Sequence, residues 1–397
     1  MSTCSASPLR PVDLRRCTQL HARPWPFPAA RIHRRSPVRI SSFRPARRRL
    51  LAASAVALSL AVVAAGCSRA EGKDTPVAAT GKGPATELRL GYFPNVTHAA
   101  ALVGLDQNLF TKDLGSTKLV PTKFNAGPEA VGALLGGSLD ASFIGSGPAI
   151  NAFAKSNGEA VRLIAGATSG GAQLVVKPGI NKPEDLIGKR VVTPQLGNTQ
   201  DVSLKKWLAE KGLTGKVTVT NLENAQTLDA FKEGKVDAAW LPEPWSSRLV
   251  LDAGAKVLLD EKTIWPDGKF PTTVLIVRTQ FLQEHPETVK ALLSGLVASI
   301  DFANKDQAAA KTAVNKQLKE LTGKSLKPAV IDRAFSNIEI TADPISATFP
   351  QLAKDQVAAG IAKEAPKVSG FADLGPLNDV LAKAGKPTVD AAGLDTK

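Results

Sequence analysis

Apolar positions follow two periods along this chain, and the change from one to the other divides it. From residue 87 to 278, short apolar runs alternate with stretches whose apolar residues recur every three or four positions. The runs predict strands at 87–92, 118–124, 140–144, 161–167, 172–177, 189–193, 217–222, 236–241, 256–259 and 272–278. Helices are predicted between them at 97–109, 127–135, 148–155, 199–211, 225–232 and 245–253. Thr97 is placed to cap the first of these, and Leu102, Leu105 and Leu109 suit one face of it. Past residue 281 the pattern is helical. Val289, Leu292, Leu293, Leu296, Val297 and Ile300 fall at i, i+3, i+4, i+7, i+8 and i+11, one amphipathic face. Further helices are predicted at 306–321, 329–336, 347–363 and 377–385. Strand–helix alternation followed by a helical tail implies an α/β fold. Turn-rich stretches at 176–183 and 266–271 suggest two crossings between two lobes. One lobe would be 87–176 with 272–397, the other 177–271.

Within this pattern one stretch is echoed. Residues 234–245 (GKVDAAWLPEPW) follow a helical run, as do residues 137–148 (GSLDASFIGSGP). Each has Gly, one residue, an aliphatic residue, Asp-Ala, a small residue, an aromatic and an aliphatic. Asp140 and Asp237 are the matching aspartates. Each unit reads as a buried strand ending in a turn that carries polar groups. In open α/β sheets ligands bind beyond the carboxyl ends of strands, so two such units facing each other would form a cleft.

Three loops open helices after predicted strands: Asn95–Thr97, Gly145-Ser146-Gly147-Pro148 and Gly197-Asn198-Thr199-Gln200. Unpaired N–H groups and the positive end of the helix dipole make each a candidate anion seat, although such residues commonly serve only as caps. Ser169-Gly170-Gly171 interrupts an apolar stretch and reads either as a bulge or hinge or as a donor-lined wall. Trp240, Glu243 and Trp245 are candidates for recognising the rest of a ligand, against core packing for Trp240 and a solvated helix start for Glu243. His98 sits at the start of a helix, where a structural role competes with ligand contact.

Charge changes the picture only at the amino end. Of the formal net charge of +14, residues 1–66 supply +11 through 12 Arg and a single acid, Asp13, leaving +3 for the rest. The body therefore has no charge signature for nucleic acid. The cysteines are Cys4, Cys17 and Cys67, and only His98 and His285 follow Cys67 among the histidines. No disulfide framework, thiol nucleophile, metal site or cofactor is expected in the body. No nucleophile elbow, His-Glu-x-x-His or P-loop occurs, so no catalytic residues are assigned.

Arg47-Arg48-Arg49 precedes an uncharged run at 50–65 (LLAASAVALSLAVVAA), then Gly66-Cys67-Ser68. A basic flank, a short apolar run and small residues make a secretion signal, and the run is short of the ~20 residues a spanning helix needs. Ala64-Ala65-Gly66-Cys67 resembles the lipobox of bacterial lipoproteins, which implies cleavage before Cys67, lipidation of it, and an outward-facing protein held to the cell membrane. Residues 67–86 read as a flexible tether. Residues 1–46 have no period and read as disordered, or as lying upstream of the true start, for which Val38 is a candidate.

The body resembles the substrate-binding proteins of ABC importers, in the nitrate, sulfonate and taurine group. The resemblance is carried by 90–110 (LGYFPNVTHAAALVGLDQNLF), 143–151 (FIGSGPAIN), 164–176 (IAGATSGGAQLVV), 188–207 (GKRVVTPQLGNTQDVSLKKW), 234–245 and 281–293. It implies a two-lobed type II periplasmic-binding-protein fold with a ligand cleft between lobes. It also implies a monomer without enzymatic activity, which takes up a small-molecule anionic solute and passes it to a permease with a separate ATPase subunit. By the same resemblance Asn95, His98, Ser146, Gly147, Ser169, Gly170, Asn198, Thr199, Gln200, Glu243 and Trp245 line the cleft. Glu243 stands where related proteins often have an aspartate before the proline, which opens an amine partner. The alternatives of the same fold are a thiamin-pyrimidine-precursor binding protein, in which the tryptophans would stack on a ring, and a pyrimidine-synthase-like enzyme. The synthases carry a cysteine-rich iron motif that this body lacks. Ligand-sensing regulators share the fold too, but they need an N-terminal DNA-binding helix pair, and residues 1–66 are proline-broken and then apolar.

Overall fold

The computed structural model describes residues 81–396. The secretion signal, Cys67 and most of the expected tether lie outside them. Among the described residues no helix is long and apolar enough to cross a membrane.

The first half of the chain is β1 (Glu87–Tyr92), α1 (Ala99–Asp106), α2 (Leu109–Leu114), β2 (Lys118–Lys123), α3 (Gly127–Leu135), β3 (Ala141–Ile144), α4 (Ser146–Lys155) and β4 (Val161–Gly170). Then come β5 (Ala172–Val176), β6 (Arg190–Thr193), α5 (Thr199–Glu210), β7 (Thr218–Asn221), α6 (Asn224–Lys232), β8 (Ala238–Pro242), α7 (Trp245–Ala253) and β9 (Lys256–Asp260). The chain closes with β10 (Pro271–Arg278), α8 (Thr279–Glu284), α9 (Pro286–Lys305), α10 (Gln307–Thr322), α11 (Pro328–Ser336), β11 (Ile338–Ile340), α12 (Phe349–Ala358) and α13 (Gly375–Lys383).

Two sheets result, in the orders β11-β4-β10-β3-β1-β2 and β7-β6-β8-β5-β9. In the first, β1 is parallel to β2 and β3, and β10 runs antiparallel between β3 and β4. In the second, β6 is parallel to β7 and β8, and β5 runs antiparallel between β8 and β9. In each sheet the strand that has just crossed from the other lobe, β10 or β5, runs antiparallel to both its neighbours, and β11 adds an antiparallel edge to the first sheet. Both sheets are covered on both faces, so successive residues along central strands such as β3, β8 and β10 are buried. In β10, Val274 and Ile276 enter one core while Leu275 and Val277 enter the other. In the second lobe Leu174 and Trp240 pack on one face, and Val175 and Leu241 on the other.

The first crossing corrects the expected one. β4 ends at Gly170 and β5 begins at Ala172, so the chain changes sheets at Gly171, ahead of 176–183. Gly170 and Gly171 both have positive φ, +72° and +78°, which a residue with a Cβ adopts only at a cost. The strand 172–177 expected in the first lobe therefore belongs to the second, because two glycines redirect one apolar run between sheets. The second crossing occupies two 3-10 turns, Glu261–Ile264 and Pro266–Gly268, overlapping the stretch expected at 266–271.

Helix 97–109 is shorter than its apolar spacing suggests. Val96–His98 form a 3-10 turn, Thr97 makes no cap, and Asn108 in the left-handed region separates α1 from α2. The helix expected at 347–363 is α12, which ends at Ala358, and β11 is a short edge strand that no pattern announced.

The two echoed aspartates do the same work in each lobe. Asp140 precedes β3, and its carboxylate accepts the Arg89 backbone N–H at 2.9 Å and the Arg89 Nε–H at 2.8 Å. Asp237 precedes β8, and its carboxylate accepts the Arg190 backbone N–H at 2.9 Å. Arg278 stands 3.6 Å from Asp140, and Lys177 stands 3.0 Å from Asp237. Each arginine also reaches a glycine carbonyl that ends the preceding helix, Gly137 at 2.6 Å and Gly234 at 2.8 Å. The repeated Gly-x-aliphatic-Asp is thus a device that ties helix end, parallel strand and antiparallel strand together at the amino ends of β3 and β8.

Candidate functional site

At the opposite, carboxyl ends of the parallel strands the two lobes meet around a cavity of about 20 Å³. Phe93, Asn95, Thr97 and His98 follow β1, Asn125 and Ala126 follow β2, and Gly145 follows β3. From the second lobe come Asn198, Thr199 and Gln200 after β6, Asn224 after β7, and Pro242 at the end of β8. Thr272 and Thr273, at the start of β10, complete the wall. The volume holds about one water molecule, so the lobes are closed on each other. Gly147 N–H donates to Thr199 Oγ1 across the gap at 3.3 Å, and a Cβ at Gly145 would stand 2.3 Å from the same oxygen. Asn151 donates to the Gly197 carbonyl at 3.3 Å, and Gln195 donates to Glu129 at 3.0 Å.

The wall contains no charged side chain. Its polarity comes from amides, hydroxyls, one histidine and helix starts. α5 begins at Thr199, and no side chain caps its first N–H groups. Buried Asp201 fixes the loop ahead of it, accepting from Gly197 N–H at 2.9 Å, Thr193 at 2.9 Å, Asn221 at 3.1 Å and Lys205 at 2.8 Å. α6 opens at Asn224, whose Oδ1 is buried without a partner, and α4 opens at Ser146, whose Oγ is equally unpartnered. The positive ends of these helices converge on the cavity's surroundings and favour an anion.

His98 is fully enclosed, lies 4.4 Å from the Phe93 ring, and accepts the Phe93 N–H at Nδ1 at 3.3 Å. Burial pushes its pKa down to about 3, so the ring is neutral, and with Nδ1 accepting, its proton sits on Nε2. Asn95 accepts the Trp245 indole N–H at Oδ1 at 2.9 Å, which leaves its amide nitrogen to donate.

Of the residues expected to line a cleft, Asn95, His98, Asn198, Thr199 and Gln200 do so. Ser146 and Gly147 are buried beside Thr199 at the start of α4. The others stand elsewhere. Ser169 and Gly170 belong to the crossing. Ser169 Oγ accepts from Phe270 N–H at 3.3 Å, Gly170 N–H donates to the Phe270 carbonyl at 2.9 Å, and the Thr272 hydroxyl donates to the Gly170 carbonyl. Trp245 backs Asn95 and stacks under Arg248 at 4.8 Å. Trp240 is core, edge-on to Trp207 at 6.2 Å. Glu243 is absent from the cavity wall. Its oxygens accept from Asn337 at 2.6 Å, Arg333 at 3.3 Å and Ser247 N–H at 3.2 Å.

Asn125 and Asn224 also line the cavity, and each shares with Asn198 the signal of a polar residue just past a parallel strand. Arg333 and Asp201 carried no such signal. The partners of Arg333 lie 86 to 160 residues away in sequence.

The sequence profile of the NMT1-like family matches residues 81–316. The taurine-binding periplasmic protein of Escherichia coli is 33% identical over 200 residues, which are 50% of this chain and 61% of that protein. The match therefore spans less than two thirds of that relative's own length. The alkanesulfonate-binding protein of Xanthomonas axonopodis, solved with MOPS bound, superposes with a TM-score of 0.59 at 23% identity, over 71% of this chain and 95% of that one. The nitrate-binding protein of Synechocystis superposes with a TM-score of 0.63 at 15% identity, over 76% of this chain and 90% of that one. These likenesses share the two-lobed fold.

Proposed function

The chain belongs to the NMT1-like family, and from that premise we propose that it is an extracytoplasmic solute-binding protein of an ABC importer. It captures a small anion of the sulfonate or nitrate class between its lobes and delivers it to a permease served by a separate ATPase subunit. The observation that carries this reading is the cavity wall: neutral donors and helix starts from both lobes, with no charged side chain. Such a wall offers an anion neutral hydrogen-bond donors and oriented helix dipoles.

Asn95, His98, Asn198, Thr199 and Gln200 hold the solute, with Ser146 and Gly147 at the margin. Ser169 and Gly170 serve the hinge instead. Solute that touches both lobes favours the closed form by its differential affinity, and the closed form is what the permease receives. The lipobox-like Ala64-Ala65-Gly66-Cys67 supports attachment to the membrane through a lipid on Cys67. The pyrimidine alternative loses its support, because neither Trp240 nor Trp245 lines the cavity.

A thermal-shift screen of alkanesulfonates, nitrate, bicarbonate and thiamin pyrimidines tests the proposal. Solute at 100 times its Kd adds about 2.7 kcal/mol and raises the transition visibly. Asn198→Ala and Thr199→Ala lower the affinity for the active anion by about tenfold or more. A chain that no anion stabilises, or variants that bind as well as the parent, would overturn the reading.

A further inference from the structure

The second lobe holds a carboxylic acid that is not part of the cavity wall but is bonded to the helix that forms it. Glu261 opens the 3-10 turn Glu261–Ile264 and is fully buried. Its Oε1 meets the Ser203 hydroxyl, and its Oε2 accepts the Trp240 indole N–H at 3.2 Å. Both partners are neutral, so a negative charge here is held by hydrogen bonds alone. Burial raises the Glu261 pKa from 4.5 to about 7, against the lowering effect of those two bonds. Acid and carboxylate are therefore both populated near neutral pH.

Ser203 links this acid to the wall. It lies one helical turn past Thr199 on α5, and its hydroxyl also stands 3.1 Å from the Thr199 carbonyl. The hydroxyl has one hydrogen for two acceptors. A protonated Glu261 donates to Ser203 Oγ, and the Ser203 hydrogen goes to Thr199. An ionised Glu261 takes the Ser203 hydrogen, and the Thr199 carbonyl loses it. One turn of helix and one hydrogen bond put the carboxyl about 8 to 10 Å from an anion seated at Thr199. Glu261, Ser203, Thr199 and Trp240 all belong to the second lobe, so the chain of bonds needs no change in the angle between lobes.

Other charges bear on this acid. Asp260, at the end of β9, raises its pKa, and Lys206 on α5 lowers it. Lys206 is itself paired with Glu210 at 2.9 Å. Lys262 shares the turn with Glu261, and Asp267 lies in the next turn. Asp201 and Lys205, on the same helix as Ser203, pair at 2.8 Å. β5 and β8 bring no titratable side chain. Asp355, on α12, also feels Lys206, and burial raises its pKa. His98, in the wall, stays neutral down to about pH 3.

We propose that Glu261 makes anion capture proton-linked: an anion seated at the start of α5 draws a proton from solvent onto the Glu261 carboxyl, and ionisation of Glu261 weakens capture. The inference rests on the anion reading of the same site. At an effective dielectric near 20, a carboxylate at that distance weakens affinity by about tenfold. By reciprocity the bound anion strengthens proton binding at Glu261 by the same factor. Affinity is therefore highest below pH 7, falls as pH rises from about 7 to about 8, and is level beyond.

Titration calorimetry of the purified full chain with methanesulfonate and with nitrate, both ionised from pH 5.5 to 9, tests it. Kd is expected to weaken about tenfold between pH 6 and pH 9. Near pH 7.5, heats in buffers of different ionisation enthalpy should show uptake of a fraction of a proton per anion. Glu261→Gln, neutral at every pH, should abolish both the uptake and the slope, and should bind at pH 9 as the parent binds at pH 6. Asp355→Asn should keep both. Ser203→Ala removes a bond that favours the carboxylate, so the decline moves to higher pH. Affinity that is flat or rises with pH would overturn the proposal, as would a slope that survives Glu261→Gln or is lost in Asp355→Asn. If Glu261→Gln does not fold, Ser203→Ala decides, and a decline whose midpoint stays in place sinks the idea. Binding of neither anion at any pH would instead sink the anion reading beneath it.

Discussion

The two lobes are alike at one end of their sheets and unlike at the other. At the amino ends of β3 and β8, Asp140 and Asp237 make matching bonds to Arg89 and Arg190 on the neighbouring parallel strand. At the carboxyl ends the resemblance stops. β3 runs through Gly145 into the start of α4, where the small residues let Thr199 of the other lobe approach. β8 runs into Glu243, Pro244 and Trp245, which bind back to the first lobe through Arg333, Asn337 and Asn95. The shared end supports the sheet. The divergent end carries the contacts by which the lobes hold each other.

Removing the shared device should give the largest effect. The Asp140 side chain is 4% exposed and the Asp237 side chain 19%. Asp140→Ala strands Arg89 and an unpaired strand N–H, costing about 3 kcal/mol. Asp237→Ala, nearer to solvent, costs about 1 kcal/mol. Urea denaturation of both variants measures the difference, and equal losses would show that burial does not set the strength of the repeated device.

One buried group in each lobe responds to pH with the opposite sign. His98, in the first lobe, is depressed from 6.5 to about 3 by burial. Between those values the unfolded chain binds a proton that the folded chain refuses, so stability rises with pH there and is lost as pH falls from 6.5. Glu261, in the second lobe, is raised from 4.5 to about 7 by burial, partly offset by hydrogen bonds from Ser203 and Trp240. The folded state holds the extra proton between 4.5 and 7, so this contribution falls as pH rises through that window. His98→Asn should flatten the acid side of the stability profile, and Glu261→Gln should remove the decline towards neutral pH. Denaturation midpoints from pH 4 to 8 read both slopes, and slopes unchanged in either variant would refute the assignment.

The smallest effect concerns the divergent end. Trp245→Phe removes the indole bond to Asn95 between lobes, worth about 1 kcal/mol, so solute affinity should fall by roughly fivefold. Unchanged affinity would place that bond outside the closure equilibrium.

Sequence alone determined the order of elements and the class of fold. Buried strands and amphipathic helices announce themselves locally, because apolar spacing follows backbone period whatever lies opposite. The repeated Gly-x-aliphatic-Asp was equally legible, and so were the polar loops after parallel strands that became the cavity wall. Tertiary structure decided three other matters. The crossing at Gly171 depends on which sheet β5 joins, and strand pairing is a long-range choice that an apolar run does not encode. The partners of the buried Glu243 carboxylate include Arg333 and Asn337, 90 and 94 residues away. The protonation states of His98 and Glu261 depend on burial by side chains from several elements. Each of these is set by what packs against a residue, and that is fixed only when the lobes come together.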